Sequence, residues 1–257
     1  MTQPSYELDL RDLLDARYSL AGGPGWTQRM GIGTGTDIGP ALSDGLAALR
    51  GQFGAGTIKI PPGSWLMNSG PAPLGRIGIE GAGSMASEIV YNNLAGAAFN
   101  YDGGGGFDGG GIRGLGLMLE EGLGMSNAYG ILLQGNSTYQ PDQMMFEDIY
   151  MSSIGASSYW WDGFHADGTA RTHPQGIRIA SLKQVEIFNC HNVPLYLSNV
   201  VGWTLENVGV FTGSGTNGND IFIVGGSTHV TGVGVNYGGT LHTSPSLDVV
   251  INGVRYS

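Results

Sequence analysis

The densest cluster of side chains able to do chemistry lies in residues 154–175, IGASSYWWDGFHADGTARTHPQ. Aromatic rings in such a segment can cover the apolar face of a sugar while polar neighbours bond its hydroxyls. The segment therefore predicts a carbohydrate-binding surface made of Tyr159, Trp160, Trp161, Phe164, His165, Arg171 and His173. Two other interpretations stay open: the aromatic residues form a contact between subunits, or they anchor the segment to its own domain.

Carboxylates in the same segment are candidate catalytic residues. Glycoside hydrolysis uses two carboxyl groups, about 5 Å apart in retaining enzymes and about 6.5–9.5 Å apart in inverting ones. The first candidate pair is Asp162 with Asp167, and the alternative is Glu186 with Glu206, at comparable places in successive sequence repeats. Glu186 and Glu206 are equally typical of solvated residues on the outer face of a strand.

Two further segments are long enough to form binding loops, where functional residues concentrate. They are 102–111, with Asp102, Phe107 and Asp108, and 120–144, with Glu120, Glu121, Tyr139 and Asp142; Glu120 or Glu121 with Glu147 is a third candidate pair. Glu147 and Asp148 do not form a pair, because neighbouring strand residues point to opposite faces.

The elements that must position these residues are mostly strands. Glycine accounts for 47 of 257 residues and charged residues for only 12%, which indicates short strands joined by tight turns. Similar apolar-x-apolar runs begin at positions 185, 203, 229 and 247. These starts are 18, 26 and 18 residues apart, and imperfect repeats of about this length predict a parallel β-helix. A β-sandwich is the alternative, but Asn-Gly hairpin signals occur only at 217–218 and 252–253.

Glycine and asparagine are expected at the corners of such repeats, since both tolerate a left-handed backbone. Asn189, Asn192, Asn199 and Asn207 are candidates for stacked corner positions. Cys190, beside them, is more typical of a small core residue than of a nucleophile.

The N-terminal part carries helical patterns. Residues 5–20 predict an amphipathic helix, and residues 36–50 predict a second one with Thr36 or Asp37 as its N-cap. The strand at 57–60 then ends in Pro61-Pro62-Gly63. These patterns divide the chain into an N-terminal attachment or helical segment at 1–35 and a β-helix domain at 36–257, with 37–50 as the capping helix.

Composition excludes several classes of function. The net charge is −10, which argues against nucleic acid and against an anionic membrane surface. One cysteine allows no intrachain disulfide and no cysteine-rich zinc pattern, and nothing in the sequence indicates a metal or a cofactor. The acidic start lacks the layout of a signal peptide, and no apolar run reaches membrane-spanning length. We therefore expect synthesis in a cytosol and no membrane insertion.

The pattern TDIGPALSDGLAALR, then GAGTIKIPPGSW, then GRIGIEGAGSMASEIVY, over residues 36–91, resembles the pectate-lyase-like right-handed β-helix superfamily. It is most similar to bacteriophage tailspike and pectate-lyase-3-type proteins. The resemblance implies that the helix caps the open end of the β-helix and that the strand at 57–60 is the first rung. Lyases of that superfamily use Ca²⁺-binding aspartate clusters with an Arg or Lys base, and no such cluster accompanies Arg171, Arg178 or Lys183.

The resemblance implies a virion-surface spike or fibre protein that binds host polysaccharide. The alternative is a polysaccharide depolymerase, a glycoside hydrolase or lyase of the tailspike type. The expected partners are a polysaccharide, two further copies of the chain in a homotrimer, and other virion proteins contacted through the N-terminal segment.

Overall fold

The structure, a computed structural model, consists mainly of strands with two helices near the N-terminus. It describes residues 6–19, 25–102, 107–124, 126–134, 141–155, 157–168, 177–211, 219–243 and 247–256. Tyr139, Arg171 and His173, which the sequence singled out, lie outside the described residues. Neither of the two helices is long and apolar enough to cross a membrane.

The elements follow one another in short segments. The N-terminal half contains β1 (Glu7–Asp9), α1 (Leu10–Tyr18), α2 (Gly39–Gln52), β2 (Gly56–Ile60), β3 (Gly63–Met67), β4 (Ile77–Gly81), β5 (Ser87–Tyr91), β6 (Ala95–Asp102), β7 (Phe107–Asp108), β8 (Gly111–Leu119) and β9 (Asn127–Gln134). The C-terminal half contains β10 (Pro141–Ser153), β11 (Trp160–Asp167), β12 (Ile177–Phe188), β13 (Cys190–Ser198), β14 (Val200–Val201), β15 (Thr204–Phe211), β16 (Asn219–Val224), β17 (Thr228–Val233), β18 (Asn236–Tyr237), β19 (Thr240–His242), β20 (Leu247–Ile251) and β21 (Val254–Tyr256).

The described strands form two sheets between which the chain alternates. The second sheet has the order β6-β9-β11-β13-β16-β19, and the other strands belong to the first sheet. Pairing is parallel throughout the described strands except between β20 and β21. We call one passage through the first sheet plus the following passage through the second a circuit. Each circuit pairs with the next, as parallel crossover connections require.

The pairing register corrects the repeat predicted from the sequence. Val185 lies beside Val208 and not beside Trp203. In the circuits that follow, Leu205 lies beside Gly232, and Val230 lies beside Val249. The predicted repeat aligned the run at 185 with the run at 203, so it was out of register with the observed pairing.

Left-handed residues explain why the length of the repeat is difficult to predict from the sequence. The strands of the first sheet bend at one column of positive-φ residues: Gly114 (62°), Asp148 (51°), Gln184 (52°), Asn207 (52°) and Gly234 (66°). Asn189 and Asn199 are also left-handed, at two other turns. Asn192 instead donates its side-chain N–H to Asp162. The predicted asparagine corners therefore exist, but at different turns and not as one stack.

The core lies between the two sheets. Phe146 of the first sheet packs edge-on against Phe164 of the second, with 4.9 Å between ring centroids, and Phe164 in turn contacts Trp203 at 6.0 Å. All three side chains are fully buried. Removing such a ring costs about 3–5 kcal/mol, so these contacts hold the two sheets together.

The N-terminal segment is part of this structure. Residues 7–9, predicted to be helical, form β1, which pairs in parallel with β2. The helix begins only at Leu10, where the Asp9 carboxylate accepts a hydrogen bond from the Arg11 N–H (2.8 Å). Leu10 and Leu14 are fully buried. Hydrogen bonding by β1 to the sheet edge explains why the helix starts late.

The second helix and the first predicted strand lie close to their expected positions. α2 begins at Gly39, so its N-cap is Ile38 and not the predicted Thr36 or Asp37. The Asp37 carboxylate still accepts from the Gly39 and Asn68 backbone N–H groups, both at 3.0 Å. β2 ends at Ile60, just before Pro61 and Pro62. The Pro61 carbonyl accepts a hydrogen bond from the Trp65 indole N–H (3.0 Å). Pro61 and Pro62 are therefore the corner between β2 and β3, which begins at Gly63.

Candidate functional site

A row of rings runs across the outer face of the second sheet. We call it the outer ring row; it consists of Tyr129, His165, Tyr196, Phe222 and His242, from β9, β11, β13, β16 and β19. Strand register places His165 beside Tyr196, and Tyr196 beside Phe222. Alternation along each strand directs these side chains outward while their neighbours enter the core.

The rings of this row cover one another. His165 stacks on Tyr196 with centroids 4.4 Å apart and planes 11° from parallel, and Tyr129 meets His165 edge to face at 5.1 Å. Because the faces of the central rings are occupied, a ligand on this surface meets ring edges. Those edges carry the phenol hydroxyls and an imidazole nitrogen, which can bond the hydroxyls of a sugar.

A buried carboxylate holds the central histidine. Asp162 Oδ2 lies 2.6 Å from His165 Nδ1, and Asp162 Oδ1 accepts from the Val193 N–H and the Asn192 side chain, both at 2.9 Å. The Asp162 side chain is 1% exposed and that of His165 15%. An imidazole whose Nδ1 is held by a carboxylate in this way can exchange a proton through Nε2, its other ring nitrogen.

Tyr129 is a hydrogen-bond donor in this setting. Burial, and then the negative charge of Asp162, raise the pKa of the Tyr129 phenol. The phenol therefore stays protonated at neutral pH. The site combines a phenol O–H, an oriented imidazole and a second phenol, on Tyr196, along the direction in which the circuits follow one another.

Two of the predicted sugar-binding rings lie in the core, which corrects the prediction for them. Trp160 is fully buried, donates its indole N–H to the Ser152 carbonyl (2.7 Å) and stacks on Tyr91. Phe164 is enclosed between Phe146 and Trp203. A ring without exposed surface cannot contact a sugar. For these two residues the anchoring interpretation holds, since they occupy the inward positions of β11.

The other predicted binding residues lie closer to the surface. Tyr159 and Trp161 are half-buried, and Trp161 has its ring centroid 5.5 Å from that of His191. Asp167 is half-buried on the same strand as His165, two residues further on, and lies beside Ser198 in register. Their roles stay predictions.

Neither predicted pair of catalytic carboxylates is assembled as expected. Asp162 is buried, and both of its carboxylate oxygens are hydrogen-bonded to protein groups. It can therefore act on a substrate only through His165, and it does not flank a scissile bond together with Asp167. Glu206 lies beside Lys183, whereas Glu186 lies beside Gly209. Glu186 follows the left-handed corner at Gln184, whereas Glu206 precedes the corresponding corner at Asn207. The two glutamates are therefore not neighbours, because one circuit is longer than the sequence repeat that aligned them.

Sequence reasoning missed four members of the outer ring row: Tyr129, Tyr196, Phe222 and His242. Each sits at an alternating position of a strand, as in PLYLS and DIFIV, but only the register between strands shows that they form one row. Among the described residues, no group of three or more His, Cys, Asp or Glu side chains could hold a metal ion.

Comparison with known proteins identifies the fold. No protein-family model matches the chain, and no curated protein matches it at a significant level. Among solved structures it is similar to the A-module of mannuronan C-5 epimerase AlgE6 from Azotobacter vinelandii, with a TM-score of 0.61, 16% identity and coverage of 95% of this chain and 62% of that one. It is also similar to the Agl-KA catalytic domain, with a TM-score of 0.53, 11% identity and coverage of 98% and 49%.

The chain thus spans about three fifths and about half of the lengths of these two structures. At such low identity the likeness concerns the fold alone. The neighbours are right-handed β-helix proteins, so the likeness agrees with the fold that the resemblance of residues 36–91 implied.

Proposed function

We propose that this chain winds as a right-handed parallel β-helix and binds a polysaccharide along the outer ring row. The observation that carries the proposal is His165, held by the buried Asp162 and flanked by Tyr129 and Tyr196. A short row of outward hydrogen-bonding groups, spaced at the distance between strands, suits a ligand that presents hydroxyls at regular intervals.

The fold supports the class of ligand. The AlgE6 module is named for an activity on mannuronan, which is a polysaccharide, and its architecture is similar to that of this chain. Since fold alone does not determine function, the support is an analogy, and the proposal depends on the geometry of the outer ring row.

The finer proposal is a spike on a virion surface that recognises host polysaccharide as a homotrimer. It is supported by the resemblance of residues 36–91 to tailspike proteins. Trimerisation would multiply weak sugar contacts, raising avidity by about 10²–10⁴. Light scattering of the purified chain tests the oligomeric state, and a monomer at micromolar concentration contradicts a trimer.

Docking onto other virion proteins would use the exposed part of residues 1–35, because β1 is paired with β2 and the apolar side of α1 is buried. Arg29 forms two hydrogen bonds to Glu120 (2.7 and 3.0 Å), and the Gly33 N–H donates to the same carboxylate. This clamp fixes a loop on which Met30 is 93% and Ile32 62% exposed. Replacing both with serine should abolish incorporation into particles and leave the fold intact.

The polysaccharide proposal is tested by binding. We expect Tyr196→Ala to weaken binding to host surface polysaccharide by about tenfold or more, the loss typical of a central contact. Affinity electrophoresis in gels containing the polysaccharide measures the change. Lys183→Ala, an outward residue of the first sheet, is the matched control and should bind as the wild type does.

A second candidate, a polysaccharide-cleaving enzyme, is favoured by the Asp162–His165 contact. His165 would accept or donate the proton, and Asp162 would orient it without touching the substrate. Assays for reducing ends and for unsaturated products detect cleavage by the hydrolase and lyase routes. Cleavage lost in His165→Ala and reduced in Asp162→Asn by more than their loss of binding supports an enzyme; no cleavage by the wild type leaves a binding protein.

A further inference from the structure

A second groove lies on the outside of the first sheet, away from the outer ring row. It encloses about 440 Å³ where β10, β12 and β15 bend at their left-handed residues. Its lining includes Ser84, Asp148, Tyr150, Gln184, Glu186 and Asn207. A phenol, two amides and two carboxylates therefore converge on one concave surface.

One aromatic ring, that of the half-buried Tyr150, lines this groove. Tyr150 begins a second stack of rings, with Phe188 at 5.6 Å and Phe211 5.2 Å beyond Phe188. On the other side of Tyr150 the paired residue in β8 is Gly116. The Ser84 carbonyl lies where a side chain of Gly116 would begin, so the loop between β4 and β5 forms one wall of the groove that Tyr150 also lines.

The wall of the groove is held in place by Asp148. Its carboxylate accepts from the Ser84 hydroxyl (2.7 Å) and the Ser84 N–H (3.2 Å), which fixes the loop between β4 and β5. The left-handed backbone at Gln184 and Asn207 sets both amides at the corner of the same groove. Glu186 is exposed and lies beside Tyr150 in register.

We propose that this groove is a second carbohydrate subsite, which binds one neutral sugar residue. The sugar would place its apolar face on Tyr150 and its hydroxyls against the amides of Gln184 and Asn207 and the carboxylate of Glu186. Acidic sugars are disfavoured, because Asp148 and Glu186 would repel their negative charge. The subsite is independent of the outer ring row and of what that row binds.

Calorimetric titration of the full chain with neutral oligosaccharides of α- and β-linked glucose, galactose and mannose, and with oligogalacturonate as the acidic probe, tests this subsite. We expect a neutral oligosaccharide to bind, Tyr150→Ala to weaken it about tenfold or more, and Tyr150→Phe to retain most of the affinity. Phe211→Ala, at the far end of the same stack, is the matched control and should bind normally.

Two variants keep the outcome clear. Glu186→Gln changes an exposed residue and serves if Tyr150→Ala does not fold; we expect it to weaken binding several-fold. Tyr196→Ala affects only the outer ring row, so neutral-sugar binding that survives it but not Tyr150→Ala belongs to the groove. The proposal is overturned if no neutral oligosaccharide binds, if oligogalacturonate binds equally well, or if Phe211→Ala or Tyr196→Ala loses affinity while Tyr150→Ala and Glu186→Gln do not.

Discussion

The outer faces of the two sheets carry two rows of different chemistry. On the first sheet a charge row crosses successive strands in register: Lys59, Glu80, Arg113, Glu147, Lys183 and Glu206. Signs alternate from strand to strand, with Lys59 2.7 Å from Glu80 and Lys183 3.1 Å from Glu147. Each charge has an opposite charge on the neighbouring strand, which favours this one register over a shifted one.

The outer ring row differs in where its polar groups find partners. His165 is held from the inside by Asp162, and its outer edge faces solvent between two tyrosines. The charges of the first row satisfy one another along the surface, whereas the imidazole is fixed from within and keeps bonding capacity outside. The charge row therefore favours one register, whereas the outer ring row, whose His165 is held from beneath, is the surface for which we propose a ligand.

The largest effect on stability should come from truncating a side chain at an inward position of β11, compared with the same truncation at an outward position. Trp160→Ala removes a buried ring and should lower the free energy of unfolding by about 4 kcal/mol. Trp161→Ala, at the next and half-buried position, should cost far less. Urea unfolding of both variants measures the difference, and equal losses would contradict the assignment of Trp160 to the core and Trp161 to the surface.

Breaking the buried clamp of the N-terminal loop should cost somewhat less. Glu120→Gln leaves the mostly buried Arg29 without its counter-charge, and we expect a loss of about 3 kcal/mol. Thermal unfolding measures it, with Glu121→Gln, the exposed neighbour, as the control. A stability equal to that of the wild type would show that the clamp is not formed in solution.

Acid should weaken the charge row and the clamp together. Burial alone would raise the pKa values of Glu80 and Glu120, but hydrogen bonds from Lys59 and Arg113 to Glu80, and from Arg29 and two backbone N–H groups to Glu120, outweigh it and lower both. Carboxyls with a lower pKa in the folded state stabilise the fold above their unfolded pKa, about 4.3. That stability is lost as pH falls through the folded pKa.

The melting temperature should therefore fall as pH drops from about 5 to about 3. A Glu80→Gln/Glu120→Gln double variant should lose less on acidification than the wild type does. Calorimetric scans at a series of pH values measure both proteins, and identical losses would place the acid sensitivity elsewhere.

The smallest effect should come from the exposed end of the charge row. Lys183→Met removes a partly exposed pairing with Glu147, and exposed pairs contribute little. We expect the melting temperature to stay close to that of the wild type in low salt and to equal it in high salt, where screening removes the interaction. A large loss would mean that the charge row holds the sheet together and does not merely favour its register.

The parts of the fold set by local chemistry could be predicted from the sequence. The alternating β-branched residues before Pro61 locate β2, and the apolar spacing of residues 38–49 locates α2 close to its observed bounds. The length of a circuit could not be predicted in this way. Two of its corners lie at Gln184 and Ile179, which are left-handed although neither is a Gly, Asn or Asp, the residue types that tolerate this backbone.

The candidate site was predictable to the same degree. Asp162 and His165 stand out by residue type, but the segment alone does not show which side of β11 faces inward. From sequence, Trp160 and Phe164 are therefore as suitable for sugar binding as Trp161. Tyr196 joins His165 through the pairing of β11 with β13, and Tyr129 reaches it diagonally, three residues before the Leu132 that pairs with His165. This is long-range information that no single segment contains.

The histidines provide the most direct test of the difference between the two faces. His165 and His242 belong to the outer ring row, whereas His229 lies on the first sheet beside Asp248. NMR titration of the histidine ring resonances with the host polysaccharide reports all of them in one experiment. We expect shifts at His165 and His242 and none at His229; shifts confined to His229, or none at His165, would contradict ligand binding at the outer ring row.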